Sequence, residues 1–365
     1  MAQKNEAHPL LYIDLYQNIV DFIDPSDRAT LTSLCLVCHN FYLESAPRLY
    51  HTIRFPPSNI SYMKHIRFLE TAAASTRCAK LVRNYSARFS SSNPRIREVL
   101  PSLENLVSLS YSQDMLSFRH PIEPLLDKLT FPNLQFFRWN CITRAEALCQ
   151  FYQRHPGLRG ISVIWMPAAV GPEVLLGTLP KLEYLEGATS LITDFILGRP
   201  VERLLWLSFY PSPASLPPEI FDALRNLRHL VLRGPYWTSI LSQIIQDLHQ
   251  LEVLQLGGLQ RWNMDSLMDT IKMLPCIKSM IFDDYFGIRS WKGDSHRFAV
   301  DLFQHGHPTL KTVYIKEELG DRLYQRFTSK LNIGEEDAEV LAVESVQVLI
   351  PENWIEEGIV ESPSS

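Results

Sequence analysis

No apolar run in the chain reaches the roughly 18 residues that spanning a bilayer requires. The opening MAQKNEAHPLLY mixes Lys4 with Glu6 and lacks a long apolar stretch, so no secretory signal is expected. Cysteine is scarce: six in 365 residues do not make a disulfide scaffold in a chain this long. A basic excess is missing too. The formal net charge is -5, which excludes the broad positive footprint of a nucleic-acid-binding protein. There is no Gly-x-Ser-x-Gly elbow and no Gly-x-x-x-x-Gly-Lys-Ser/Thr phosphate loop. These absences point to a protein of the cytoplasm or nucleus that is no enzyme, with no membrane or nucleic-acid partner. Asn59-Ile60-Ser61 and Asn84-Tyr85-Ser86 are then chance glycosylation triplets.

What is present begins at residues 10–53. Leu15, Ile19, Val20 and Ile23 recur on one helical face. Asp24-Pro25 stops that helix, because proline disfavours helical geometry in the residue before it. Asp27 is placed to cap a second helix, on which Leu31, Leu34, Val37 and Phe41 form another stripe. About forty residues are too few for a good core. Surplus apolar surface on such a module hides against a partner or against the next domain. Helical spacing alone leaves both open: an adaptor-docking module, or a hairpin that caps the rest of the chain.

The ordered positions resemble an F-box. Leu11, Tyr12, Ile13, Asp14 and Leu15 follow the family's Leu-Pro-x-Glu-Leu opening, with Tyr12 at the Pro position and Asp14 at the Glu position. Ile19 and Ile23 continue the first helix; Leu31, Leu34 and Val37-Cys38 follow, with Phe41 where the family usually carries Trp. The wording LCLVCHNFYLESAPRLY is similar to fungal F-box proteins. The resemblance implies docking to a Skp-type adaptor and, through it, to a cullin scaffold. It assigns adaptor contact to Leu11, Leu15, Ile19, Val20, Ile23, Leu31, Leu34, Val37 and Phe41.

From residue 100 a phrase that approximates Pro-x-Leu-x-x-Leu-x-Leu returns nine times, as in LPSLENLVSL, LPKLEYLEG and HPTLKTVYI, with the proline missing from LRNLRHLVL and HQLEVLQL. Its first apolar anchors are Leu103, Leu134, Leu158, Leu182, Val201, Leu227, Leu251, Ile277 and Leu310. They average about 26 residues apart, inside the leucine-rich-repeat range of about 20–29. The closing Leu-x-Leu alternates like a short strand with one buried face. Helical stripes lie between phrases: Ile240, Leu241, Ile244, Ile245 and Leu248 after Thr238, and Leu267, Met268, Ile271 and Leu274 after Asp265. Thr143 with Glu146 reads as a capping box before Ala147. One strand and one helix cannot bury their own apolar faces, so stacked neighbours complete the core.

The expected fold is therefore α/β: a small all-α F-box-like module followed by an irregular leucine-rich-repeat solenoid, with parallel strands on the concave face and helices on the convex face. The pattern resembles the degenerate repeats of many F-box proteins, but Pro235 and Leu259 stand where an asparagine ladder belongs. The predicted parts are a docking module at 10–53, a linker and N-terminal cap at 54–99, repeats at 100–350 and a polar tail at 351–365. In the cap, Met63–Ala73 reads as helix and Ala79–Phe89 as an opening strand. Val343–Ile350 reads as the last strand.

Cys35-Leu36-Val37-Cys38-His39 matches a haem-attachment pattern, but these cysteines lie on an apolar helical stripe and no export signal accompanies them. No second close cysteine pair completes a zinc site, and His305-Gly306-His307 reads as a helix end running into a repeat. No metal or cofactor is expected. Aromatic residues follow the repeat strands. Trp237, Trp262, Tyr285, Phe286 and Trp291, with Arg138 and Arg233, are the candidate contacts to a target protein. The alternative folds the rings under the rim as core. Function is expected to be substrate recognition in a Skp–cullin–F-box ubiquitin ligase, or else a repeat scaffold outside that system.

Overall fold

The structure is a computed structural model that describes residues 9–55, 59–89, 95–113, 123–141, 143–164, 177–209, 215–258, 264–283, 295–305, 308–316, 323–333 and 339–349. The chain is α/β and divides into two compact units, Met1–Leu158 and Arg159–Ser365. No described helix is long and apolar enough to cross a membrane.

The first unit opens with α1 (Pro9–Asp21), α2 (Arg28–Val37) and α3 (His39–His51). The Asp27 carboxylate accepts the Thr30 N–H at 3.0 Å and caps α2, as expected. The stripe expected over Leu31–Phe41 is not one helix. Cys38 is extended (φ -160°, ψ 168°), so α2 ends at Val37 and α3 starts afresh. The new helix sets Phe41 edge-on to Tyr16 of α1, with ring centroids 4.7 Å apart. Arg48 then clamps the end of α1. It donates to the Val20 carbonyl at 3.0 Å and to the Asp21 carboxylate, where helix carbonyls lack internal partners.

Four parallel strands follow: β1 (Thr52–Phe55), β2 (Asn84–Phe89), β3 (Ser108–Gln113) and β4 (Phe136–Asn140). Between them lie α4 (Asn59–Ala74), α5 (Thr76–Leu81), α6 (Ile96–Val99) and α7 (Glu123–Leu126), and α8 (Ala145–Arg154) comes last. The strand expected from Ala79 begins only at Asn84. Ser75 accepts the Cys78 N–H and starts α5 there instead, so Ala79–Leu81 are helical. Thr143 does not cap α8. Its hydroxyl accepts the Trp139 indole N–H at 2.8 Å, and Arg144 takes the cap position without a capping hydrogen bond from its side chain.

In the second unit, seven parallel strands neighbour one another in chain order: β5 (Gly160–Val163), β6 (Tyr184–Ala188), β7 (Arg203–Leu207), β8 (His229–Arg233), β9 (Val253–Gly257), β10 (Ser279–Phe282) and β11 (Thr312–Lys316). Helices α9 (Thr189–Phe195), α10 (Glu219–Leu224), α11 (Trp237–Ile244), α12 (Met264–Lys272) and α13 (Ser295–His305) join them. The last strand is longer than expected, β13 (Glu339–Leu349), and it has an unforeseen partner, β12 (Leu323–Ile333). These two form an antiparallel hairpin, and β12 pairs antiparallel with β11, so the parallel series stops at β11.

All nine phrase anchors are at most 4% exposed. Most sit in the same turn. The N–H of Leu134, Leu158, Leu182, Leu227, Leu251 or Ile277 donates to the carbonyl three residues back. Next come two N–H groups that converge on one carbonyl of the preceding repeat: Glu183 and Tyr184 on Arg159, Arg228 and His229 on Glu202, Lys278 and Ser279 on Glu252. This shared carbonyl sets the strand register before pairing begins.

Candidate functional site

Of the eleven large apolar side chains that the described residues leave in solvent, five cluster in the N-terminal stretch from Leu15 to Val37. Phe22 is 92% and Leu36 82% exposed; Val37, Leu15 and Ile19 are exposed as well. Leu15, Ile19 and Phe22 follow i, i+4, i+7 spacing, which is one side of α1 continued into the turn after it. Leu36 and Val37 end α2. Two of the expected adaptor contacts are corrected. Val20 is 1% and Leu31 0% exposed, so both belong to the core of the module. Ile23, Leu34 and Phe41 are half-buried, and Leu11 lies in α1 with its side chain outside the described residues. Phe22 and Leu36 were missed. The spacing from Leu15 contained Phe22; nothing in the stripe singled out Leu36, because the helix end at Val37 was not foreseen.

The strands of the two units differ on the face away from the fully buried side chains. In the first unit this face carries Thr52, Arg54, Asn84, Ser86, Arg88, Ser108, Ser110, Ser112, Phe136, Arg138 and Asn140, all half-buried or exposed. Its opposite face carries Tyr85, Leu109, Tyr111, Phe137 and Trp139, which are buried. In the second unit both faces of the strands from β5 to β10 are largely buried. Leu205, Val231 and Ile281 pack with Tyr184, Leu207, Val253 and Tyr324 in one apolar cluster. The expected open concave surface is absent there: Glu186, Val231 and Gln255 are buried. The strands are apolar on both faces, so the second face becomes core as well.

Arg233 remains exposed at the margin of that cluster, but it is paired. Its guanidinium donates to Asp283 at 2.9 Å, and the same carboxylate accepts Gln255 and the Tyr324 hydroxyl. Trp237 is 2% exposed and cannot serve as a rim anchor without unfolding its helix. Trp262, Tyr285, Phe286 and Trp291 lie outside the described residues. Arg138 stands half-buried on the open polar face of the first unit.

The shifted titratable groups are structural. His155 accepts the Phe131 N–H at Nε2 (2.9 Å) and faces the Phe151 carbonyl with Nδ1 (2.7 Å), which assigns it the neutral Nδ1–H tautomer. Burial lowers its pKa. Burial also pulls His65, hydrogen-bonded to the Tyr85 hydroxyl, and His229 down to about 4. Asp194, on α9, is pushed up to about 6 by burial. Among the described residues no three metal-ligating side chains converge.

A pH dependence follows. The histidines ionise near 6.5 when unfolded but stay neutral in the fold until about 4. Their contribution is therefore complete above about pH 6.5 and is lost as the pH falls towards 4. For His65 it amounts to about 3 kcal/mol. Asp194 acts in the opposite sense and costs stability as the pH rises through about 6. Denaturant midpoints are expected to fall between pH 6.5 and 5, and His65→Gln is expected to flatten that limb. An unchanged limb in the variant would mean that His65 is solvated.

Searched against known protein families, the chain matches no family model, and no curated protein matches it.

Proposed function

We propose that this protein is a substrate-receptor subunit of a Skp–cullin–F-box-type ubiquitin ligase. Residues 10–53 dock a Skp-type adaptor, and the repeat region behind them presents a surface to a target protein. The reading is carried by the exposed apolar set Leu15, Ile19, Phe22, Leu36 and Val37, which lies within the stretch that resembles an F-box. Burying a side chain such as Phe22 or Leu36 contributes about 1.5–3 kcal/mol. A few such anchors are enough for a stable complex. Val20 and Leu31 support the surface from within rather than touch the adaptor. The chain contributes proximity: it holds the target near a ubiquitin-loaded conjugating enzyme and raises effective concentration.

The test is a pull-down of the full chain with purified Skp-type adaptor, beside the variant Phe22→Asp/Leu36→Asp. Both side chains are largely in solvent, so the expected result is an affinity loss of at least about 100-fold with an unchanged unfolding midpoint. Undiminished adaptor binding by the variant would sink the assignment. A folded wild-type chain that captures no adaptor would return the reading to a repeat scaffold outside the ubiquitin system.

A further inference from the structure

The segment EVLAVESVQVL favours a strand: it holds four valines and two leucines, with no proline and no glycine. It forms β13, which pairs with β12 through eleven consecutive residues, Glu339 to Leu349, without a bulge. No described strand lies on its other side. A strand with one neighbour turns every second N–H and C=O group outward, and such a row is a template for another strand. Folds normally blunt it with a short edge, a lysine, a proline, a bulge or a cover. β13 is long, carries no lysine and no proline, and keeps its register throughout. At its middle, Glu344, Ser345, Val346 and Gln347 are all exposed, so neither face is covered there.

β1 shows the contrast. It also has a described neighbour on one side only, but it is four residues long. The His51 carbonyl accepts the Arg83 N–H on the β2 side, so the Thr52 carbonyl is the outward one. That carbonyl accepts the Arg28 guanidinium at 3.0 Å. One edge strand is blunted, and the other is left open.

Whatever lies along β13 must bring an extended backbone of its own. A second copy brings an open edge of equal length. The side chains select the register. Val346 is 52% exposed and stands opposite Arg326 of β12. It shares its face with Val348, which packs against the cluster of Tyr184, Val231 and Tyr324. A two-fold antiparallel pairing through Val346 sets it against itself, Glu344 against Val348 and Ser345 against Gln347. The apolar surface then runs on from one copy into the other, and no acid faces an acid. Centred on Ser345, the pairing makes the two Glu344 side chains diagonal neighbours; centred on Glu344, it sets them directly opposite, which is unfavourable.

We infer that this protein forms a two-fold dimer in which β13 pairs antiparallel with β13 of a second copy about Val346. Both copies use the same edge, so pairing consumes it and assembly stops at two. The contact is narrow, and a reversible dimer in the micromolar range is expected rather than an obligate one. The inference does not rest on the receptor reading.

The experiment is light scattering on the full chain from about 1 to 200 μM, where the mass is expected to rise from one copy to two. Val346→Lys sets like charges opposite each other across the two-fold axis. It is expected to weaken association at least about tenfold while leaving the unfolding midpoint of the dilute protein unchanged. Val346→Glu is expected to do the same. Mixed in equal amounts, the two variants are expected to associate one to one, because the axis places position 346 against itself. A full chain that stays monomeric would overturn the inference. So would a dimer untouched by either variant, or a mixture of the two that stays monomeric. Slow amide exchange along β13 in such a monomer would mean that another part of the same chain pairs there. Phe22→Asp/Leu36→Asp is expected to keep the dimer; its loss in that variant would move the contact to the N-terminal helices.

Discussion

Gly258→Ala is expected to cost about 3 kcal/mol or more, read as a lower denaturant midpoint. Two independent effects add at this position. Gly258 has φ +147°, a conformation that side-chain-bearing residues rarely adopt. A methyl group there would also lie 2.4 Å from the Gly234 carbonyl oxygen. The obstacle is backbone, so no rotamer change relieves it. Gly234 repeats the arrangement one unit earlier: φ is +107°, and its Cβ would meet the Ser208 carbonyl at 2.6 Å. The three units touch main chain to main chain here. Ser208 N–H donates to Arg233 O at 2.7 Å, and Gly234 N–H to Gly257 O at 3.0 Å. Pro235 and Leu259, which stand where regular repeats carry a ladder of asparagines, directly follow these glycines. Close backbone stacking occupies the place where side-chain amides would otherwise bridge the turns. Gly157→Ala is the control. The nearest atom to its added methyl is 3.9 Å away, and near-neutral stability is expected. Equal midpoints for the two variants would mean that the turn after β9 yields.

Trp237→Ala is expected to remove about 3–5 kcal/mol, the usual range for truncating a buried tryptophan. Its ring is 2% exposed at the first residue of α11, with Ile240, Leu241 and Ile244 of the same helix also buried. Removing it leaves a cavity under the helix start, and packing of the neighbouring repeats falls with it. The measurement is the unfolding midpoint beside capture of any identified target. A variant that melts like the wild type yet loses its target would reverse the assignment and restore Trp237 as a contact residue.

Much of the repeat region could be read from the chain. The nine anchors, from Leu103 to Leu310, are all core, and each phrase runs into a strand. Alternation gives each repeat strand one buried and one opposite face, because period two reports sidedness directly. It does not report what lies against that face, and for this reason the burial of Val231 and Gln255 was missed. A signal was nonetheless present. RLLWL and HLVLR are nearly continuous apolar runs, as strands buried on both faces are, whereas SLSYSQ and FFRWN alternate. In the N-terminal module the faces were legible and the helix ends were not. A single extended residue, Cys38, left the 3.6-residue spacing outwardly intact while it split one expected helix into two. The β12–β13 hairpin was missed because its members, LYQRFTSKLNI and EVLAVESVQVL, carry none of the repeat's punctuation.

The carbonyl shared by two N–H groups at the foot of each repeat frees the chain from counting. Because alignment is settled there, residues gained or lost in the return path change the back of a repeat and leave the phase of the next strand untouched. Successive anchors therefore tolerate gaps as unequal as those from Leu182 to Val201 and from Ile277 to Leu310. An insertion in a return is absorbed locally, whereas one between an anchor and its strand would turn the following side chains to the wrong face.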